Sequence, residues 1–201
     1  MLLRRLNRQA ARVLAGVGLA LTLSSGTQAR AFTEEHVIIL LDRSGSMKAT
    51  RASGEMRFTE AVTRGRDFVL TPNLLPRHFA VWTFEGASYF REQDFMDPAS
   101  TVTTLNNLST GLGATPLALA VCDAADALLQ FEPGVDARKV IRLISDGGEN
   151  STPETAPCFG PPSTTTYPEL EEGSWQWKVR NMLKTGDPLR DWKDDGHSLF
   201  W

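Results

Sequence analysis

Val37 to Leu41 is a run of five apolar residues that leads directly into Asp42-Arg43-Ser44-Gly45-Ser46. A strand wet on one face alternates apolar and polar side chains, and this run does not alternate. It predicts a strand covered on both faces, such as sits at the centre of a parallel sheet. Such a sheet needs a helix on each side, so the rest of the chain must supply helices between strands.

The following pattern meets that need. Phe58, Ala61, Val62, Gly65, Phe68 and Val69 recur at three- and four-residue steps and predict an amphipathic helix from about Met56 to Leu70. Phe79–Phe84 reads as a second strand, Glu85-Gly86 as a turn, and Ala87–Phe95 as a more alternating strand suited to an edge. Residues 97–114 are rich in Thr, Asn, Ser and Gly and read as a loop. Thr115-Pro116 predicts a helix start, with Thr as N-cap and Pro at the first helical position, running to about Phe131. Val140–Ser145 reads as a fourth strand, ending at Asp146-Gly147-Gly148. This rhythm predicts an α/β fold, a doubly wound and mainly parallel sheet with helices on both faces. Beyond Asn150 the expectation is a long irregular segment over 151–196, containing a short helix near Trp175–Leu183. His197–Trp201 resembles the opening of another strand, so the sequence reads as one domain over 34–201 whose last strands are missing.

At the amino end, Arg4, Arg5, Arg8 and Arg12 precede an apolar run, Val13 to Leu23, and Ala29-Arg30-Ala31 follows. A basic start, an apolar middle and a small-residue site are the parts of a secretory signal peptide, here residues 1–31. The 11-residue apolar run is too short to span a bilayer, which takes about 18 or more. The mature chain is therefore expected to be exported, to the periplasm, the cell surface or the medium, with no membrane span. Arg4-Arg5 leaves general and twin-arginine export both open. Removing five arginines takes the formal charge from −3 to −8. So acidic a chain is a poor match for nucleic acid and a good one for a cation. Cys122 and Cys158 are the only cysteines, and in an oxidising compartment an even count favours a disulfide between them over two separate thiols.

In open parallel sheets, ligands bind beyond the carboxyl ends of the strands. Asp42, Ser44 and Ser46 follow the first strand, Asp146 follows the fourth, and Thr115 opens the helix leading to the fourth. All five are short oxygen-bearing side chains, the donors a hard divalent cation takes. Two carboxylates and three neutral hydroxyls would only just neutralise a dication, leaving it attractive to a further carboxylate from outside.

Asp42-Arg43-Ser44-Gly45-Ser46 resembles the D-x-S-x-S motif of the von Willebrand factor type A (VWA) family, whose metal-ion-dependent adhesion site (MIDAS) it forms. Thr115, in GATPLALA, resembles that family's separate threonine ligand, and Asp146, in LISDGGEN, its second aspartate. The resemblance runs from about Val37 to Asn150, and the chain is similar to the bacterial exported members. It implies bound Mg²⁺ or Mn²⁺, with Ca²⁺ behind them, and protein binding rather than catalysis. The partner would offer an Asp or Glu to the metal, with Lys48, Arg51, Gly113 and Glu149 as candidates to shape specificity around it, although the default expectation for Glu149 is a solvated surface acid. One alternative is a structural subunit of a pilus or envelope assembly with a purely stabilising metal. Another is a Mg²⁺-dependent hydrolase, against which several features count. Ser44 stands where phosphoryl transfer would want a second aspartate, and no G-x-S-x-G surrounds either serine. His36, His78 and His197 fit no triad, and Gly111-Leu112-Gly113 lacks the third glycine of a dinucleotide loop.

Overall fold

The computed structural model describes residues 32–186. The signal-peptide segment and His197–Trp201 lie outside the described residues. Four strands form one sheet in the order β3-β2-β1-β4: β1 Glu34–Asp42, β2 Arg77–Glu85, β3 Ser88–Met96 and β4 Ala137–Ile144. β1 pairs in parallel with β2 and β4, while β3 is antiparallel and at an edge. The apolar run is therefore central, as its lack of alternation requires. Val37, Ile39 and Leu41 face one core, with Phe58, Ala61 and Val69 of helix α1 (Arg57–Leu70) and Leu105 of α2 (Pro98–Asn106). Ile38 and Leu40 face the other, with Trp82, most of the apolar face of α3 (Leu117–Gln130), and Trp175 and Val179 of α4 (Trp175–Gly186). The sheet is doubly wound.

Two expectations need correction. Residues 97–114 are not all loop, because α2 occupies Pro98–Asn106. Its sequence is polar because only Thr101 and Leu105 are buried. What starts it is local: the Asp97 carboxylate accepts from the Ala99 and Ser100 N–H groups at 2.8 and 3.0 Å, with Pro98 in the first turn. Nor is Thr115 an N-cap, since α3 begins at Leu117 after Pro116, with no side-chain cap from its own first residues.

Cys122 and Cys158 form a disulfide across 36 residues, with Cα atoms 6.0 Å apart. It ties the irregular 151–173 segment to α3. No helix among the described residues is long and apolar enough to cross a membrane.

Candidate metal centre

β1 and β4 are parallel neighbours, so Asp42 and Asp146 come off the same end of the sheet. Asp42 is fully buried. One of its oxygens accepts the Ser44 N–H at 2.7 Å, and the other accepts the Ser145 hydroxyl at 2.6 Å. Gly45–Lys48 winds a 3-10 turn that brings Ser44 Oγ within 3.1 Å of Ser46 Oγ. The Ser46 hydroxyl in turn donates to Asp146 Oδ1 at 2.8 Å. Thr115 is buried beside them: a Cβ on Gly147 would stand 3.7 Å from Thr115 Oγ1. Asp42, Ser44, Ser46, Thr115 and Asp146 thus gather at one end of the sheet. Burial pushes the Asp42 carboxyl above the usual carboxylate range; the Ser145 and Ser44 hydrogen bonds oppose this, and the nearby Asp146 charge adds to it.

Three loops are joined by backbone to hold this arrangement. Gly45 N–H donates to Gly113 O at 2.9 Å, Gly111 N–H to Arg43 O at 2.8 Å, and Gly86 N–H to Ala114 O at 2.9 Å. The Glu85 carboxylate accepts from the Leu112 and Gly113 N–H groups at 2.7 and 3.3 Å and pairs with Arg43 at 3.2 Å. Gly111 and Gly113 are glycines because of these approaches: a Cβ would meet Glu85 Oε2 at 1.6 Å in one and Gly86 N at 2.2 Å in the other. The segment after Asp146 closes the fourth side. Asn150 Oδ1 accepts the Thr115 N–H at 2.7 Å. Glu149 accepts from Ala118 N–H at 2.5 Å, and Thr152 Oγ1 accepts from Leu119 N–H at 3.0 Å. Residues 149–152 therefore cap α3 in place of Thr115, and Glu149 puts its negative charge where the helix dipole is positive. These contacts hold Glu149 as a scaffold for the site rather than as a freely solvated acid.

Sequence reasoning missed Arg57. This first residue of α1 pairs its guanidinium with Asp146 Oδ2, across 89 positions of sequence. No local spacing links the two; only the return of β4 beside β1 brings them together.

The donor set consists of oxygens alone, carboxylate and hydroxyl, which fits a hard divalent cation and gives a soft one no sulfur or nitrogen. Held by such an ion, the site would offer it Asp42, Ser44, Ser46, Thr115 and Asp146.

A second group lies at the other end of β1. The ligand atoms of Glu34, His36 and Glu132 all lie within 4.8 Å of one another. The parallel register also sets His36 beside His78, with ring centroids 5.8 Å apart, so two histidines far apart in sequence are neighbours. A cation on His36 Nε2 would need that nitrogen's lone pair and so a proton on Nδ1. Yet Nδ1 stands 2.6 Å from the Lys139 ammonium, which donates to it, while Nε2 bonds to Glu34. The contacts describe a buried charge network with a neutral imidazole, and burial, together with Lys139, pushes the His36 pKa below its ordinary value against the pull of Glu34.

No family model and no curated protein matches the chain. Solved structures do. The chain is similar to the protein BatB from Bacteroides thetaiotaomicron, at 21% identity over 53% of this chain and 52% of that one, with a TM-score of 0.43. It is similar to the vWF domain of the type V pili tip protein Mfa5 from Porphyromonas gingivalis, at 21% identity over 60% and 40%, TM-score 0.46. It is also similar to proximal thread matrix protein 1 from the mussel byssus, whose MIDAS motif holds zinc, at 17% identity over 59% and 30%, TM-score 0.44. The chain spans about half the length of the first of these and less of the others.

Proposed function

We propose that this chain is an exported VWA-type binding module, in which a divalent cation held by Asp42, Ser44, Ser46, Thr115 and Asp146 accepts an acidic side chain from a protein partner. The observation that supports this best is the gathering of five short oxygen side chains from three separate segments, one of them the fully buried Asp42 carboxylate. A buried Asp whose contacts are all neutral donors is costly, and a cation offsets that cost. Mg²⁺ or Mn²⁺ suits a compact set of hard oxygens better than the larger Ca²⁺, which takes six to eight donors. The serines and threonine lend oxygens without adding charge, so the bound ion would remain attractive to a partner carboxylate. Export is supported by the basic-apolar start of the sequence and by the Cys122–Cys158 disulfide, a bond of oxidising compartments.

Calorimetry of the full chain with Mn²⁺ tests the reading. One ion per chain is expected, lost in Asp42→Ala, and capture of an Asp-bearing peptide is expected to need the ion. If Asp42→Ala unfolds the protein instead of merely releasing the ion, the metal is scaffolding, as in a structural subunit. If the folded wild type takes up no Mn²⁺ or Mg²⁺, the reading fails.

A further inference from the structure

We infer that Arg57 is a resident counter-cation of Asp146, which a divalent ion must displace to occupy the site. The inference rests on the cation site proposed above. Both oxygens of Asp146 are engaged: Oδ1 by the Ser46 hydroxyl and Oδ2 by the Arg57 guanidinium. The two partners are unequally held. The Asp146 side chain is 7% exposed and that of Arg57 36%, so the carboxylate is fixed and the guanidinium can leave. The Arg57 backbone stays anchored as the side chain moves, because its N–H donates to Ala49 O at 3.0 Å.

A dication bound at Asp146 would sit a few ångströms from this guanidinium. Repulsion between a double and a single charge at roughly 5 Å weakens affinity by about tenfold even with water-like screening. The side chain has somewhere to go. Arg57 lines an open cleft that it shares with Thr50, Arg51, Ser53, Glu55 and Glu60. Glu60 lies one helical turn along α1 and already gathers Arg51 and Arg64. Acidic acceptors therefore flank the path out. The arginine keeps Asp146 satisfied in the cation-free protein and raises the cation concentration at which the site fills.

The test is Mn²⁺ calorimetry on full-length wild type, Arg57→Gln and Arg57→Met, with folding checked by circular dichroism. Met keeps the length and apolar contacts of the arginine stem, and serves if Gln perturbs folding. Both variants are expected to bind Mn²⁺ roughly tenfold more tightly than wild type, by a margin that narrows as NaCl is raised. Equal or weaker binding in the folded variants overturns the inference, since Arg57 would then be orienting Asp146 for the ion. If wild type and both variants take up no Mn²⁺, the cation site itself is wrong and this inference falls with it. If all three bind without the gain, only the role of Arg57 is lost.

Discussion

Gly113→Ala probes whether the site depends on direct backbone contact between loops. A Cβ at 113 would stand 2.2 Å from Gly86 N and 2.5 Å from Gly86 Cα. Both are main-chain atoms, so no side-chain rotation relieves the clash, and the β2–β3 turn must part from the 111–115 loop. One backbone hydrogen bond spans that junction, Gly86 N–H to Ala114 O, and a second, Gly45 N–H to Gly113 O, ties the same loop to the turn after β1, each at 2.9 Å. Each contributes about 1 kcal/mol, and overpacking costs about 1–3 kcal/mol. The expected loss is about 3 kcal/mol, or a fall in Tm of about 6–12 °C for a domain of this size. Gly111→Ala is the internal comparison. Its Cβ meets only the end of the Glu85 side chain, at 1.6 Å from Oε2. That carboxylate can swing away, giving up Leu112 N–H and Arg43 for about 1 kcal/mol. Thermal melts followed by circular dichroism, with Mn²⁺ titrations beside them, should rank Gly113→Ala well below Gly111→Ala in both stability and affinity. A Gly113→Ala protein that melts within 2 °C of wild type, or the reverse ranking, would refute the claim that backbone contact positions Thr115.

Other expectations follow from single contacts. Glu149→Ala removes a carboxylate that accepts from Ala118 N–H, Ser151 N–H, Thr152 N–H and the Thr152 hydroxyl, so chemical denaturation should show a loss of about 2–3 kcal/mol. The double change Cys122→Ser, Cys158→Ser opens a 36-residue crosslink and should cost about 3–4 kcal/mol, with hydrogen exchange rising first in 151–173 and α4. For His36, burial holds the folded pKa below the ordinary value of about 6.5, although Glu34 and Glu132 pull the other way against Lys139. The unfolded chain therefore takes up the proton first as pH falls. The contribution of His36 is full above about 6.5 and is lost progressively below it. His36→Gln should remove that slope; wild type gaining stability over the variant on acidification would contradict the assignment.

Most of the sheet was legible because burial writes itself into apolar order. Val37–Leu41 lacks alternation and is central; Ser88–Met96 alternates and is at the edge. The amphipathic faces of α1 and α3 were equally plain. Helix α2 was not, since a helix that buries only Thr101 and Leu105 has almost no apolar stripe, and its signal was the Asp97-Pro98 start. At the candidate site, five oxygen-bearing residues could be singled out because they follow strands or precede a helix. Their supports could not. Glu85, Glu149 and Asn150 act on loops distant in sequence, and Gly111 and Gly113 owe their identity to what presses on them in space. The Arg57–Asp146 pair is the extreme case, since an ion pair across 89 residues leaves no periodic trace.

The two ends of the sheet differ in how they balance charge, and that contrast bears on the proposed site. At the amino end, buried Glu35 has Arg77 and Arg138, while Glu34, His36, Glu132 and Lys139 satisfy one another. Those acids meet cations supplied by the chain. At the carboxyl end, among the described residues, Asp42 meets an N–H and hydroxyls, and Asp146 meets the Ser46 hydroxyl and a single cation, Arg57. Burial raises the Asp42 carboxyl above the usual carboxylate range, and two carboxylates against one guanidinium leave a net negative charge that adds to this. Exchanging the guanidinium for a dication would bring these three charges to neutrality. Retaining both would leave an excess positive charge in a poorly hydrated site. The same count therefore favours uptake of a divalent ion and departure of Arg57 as one event.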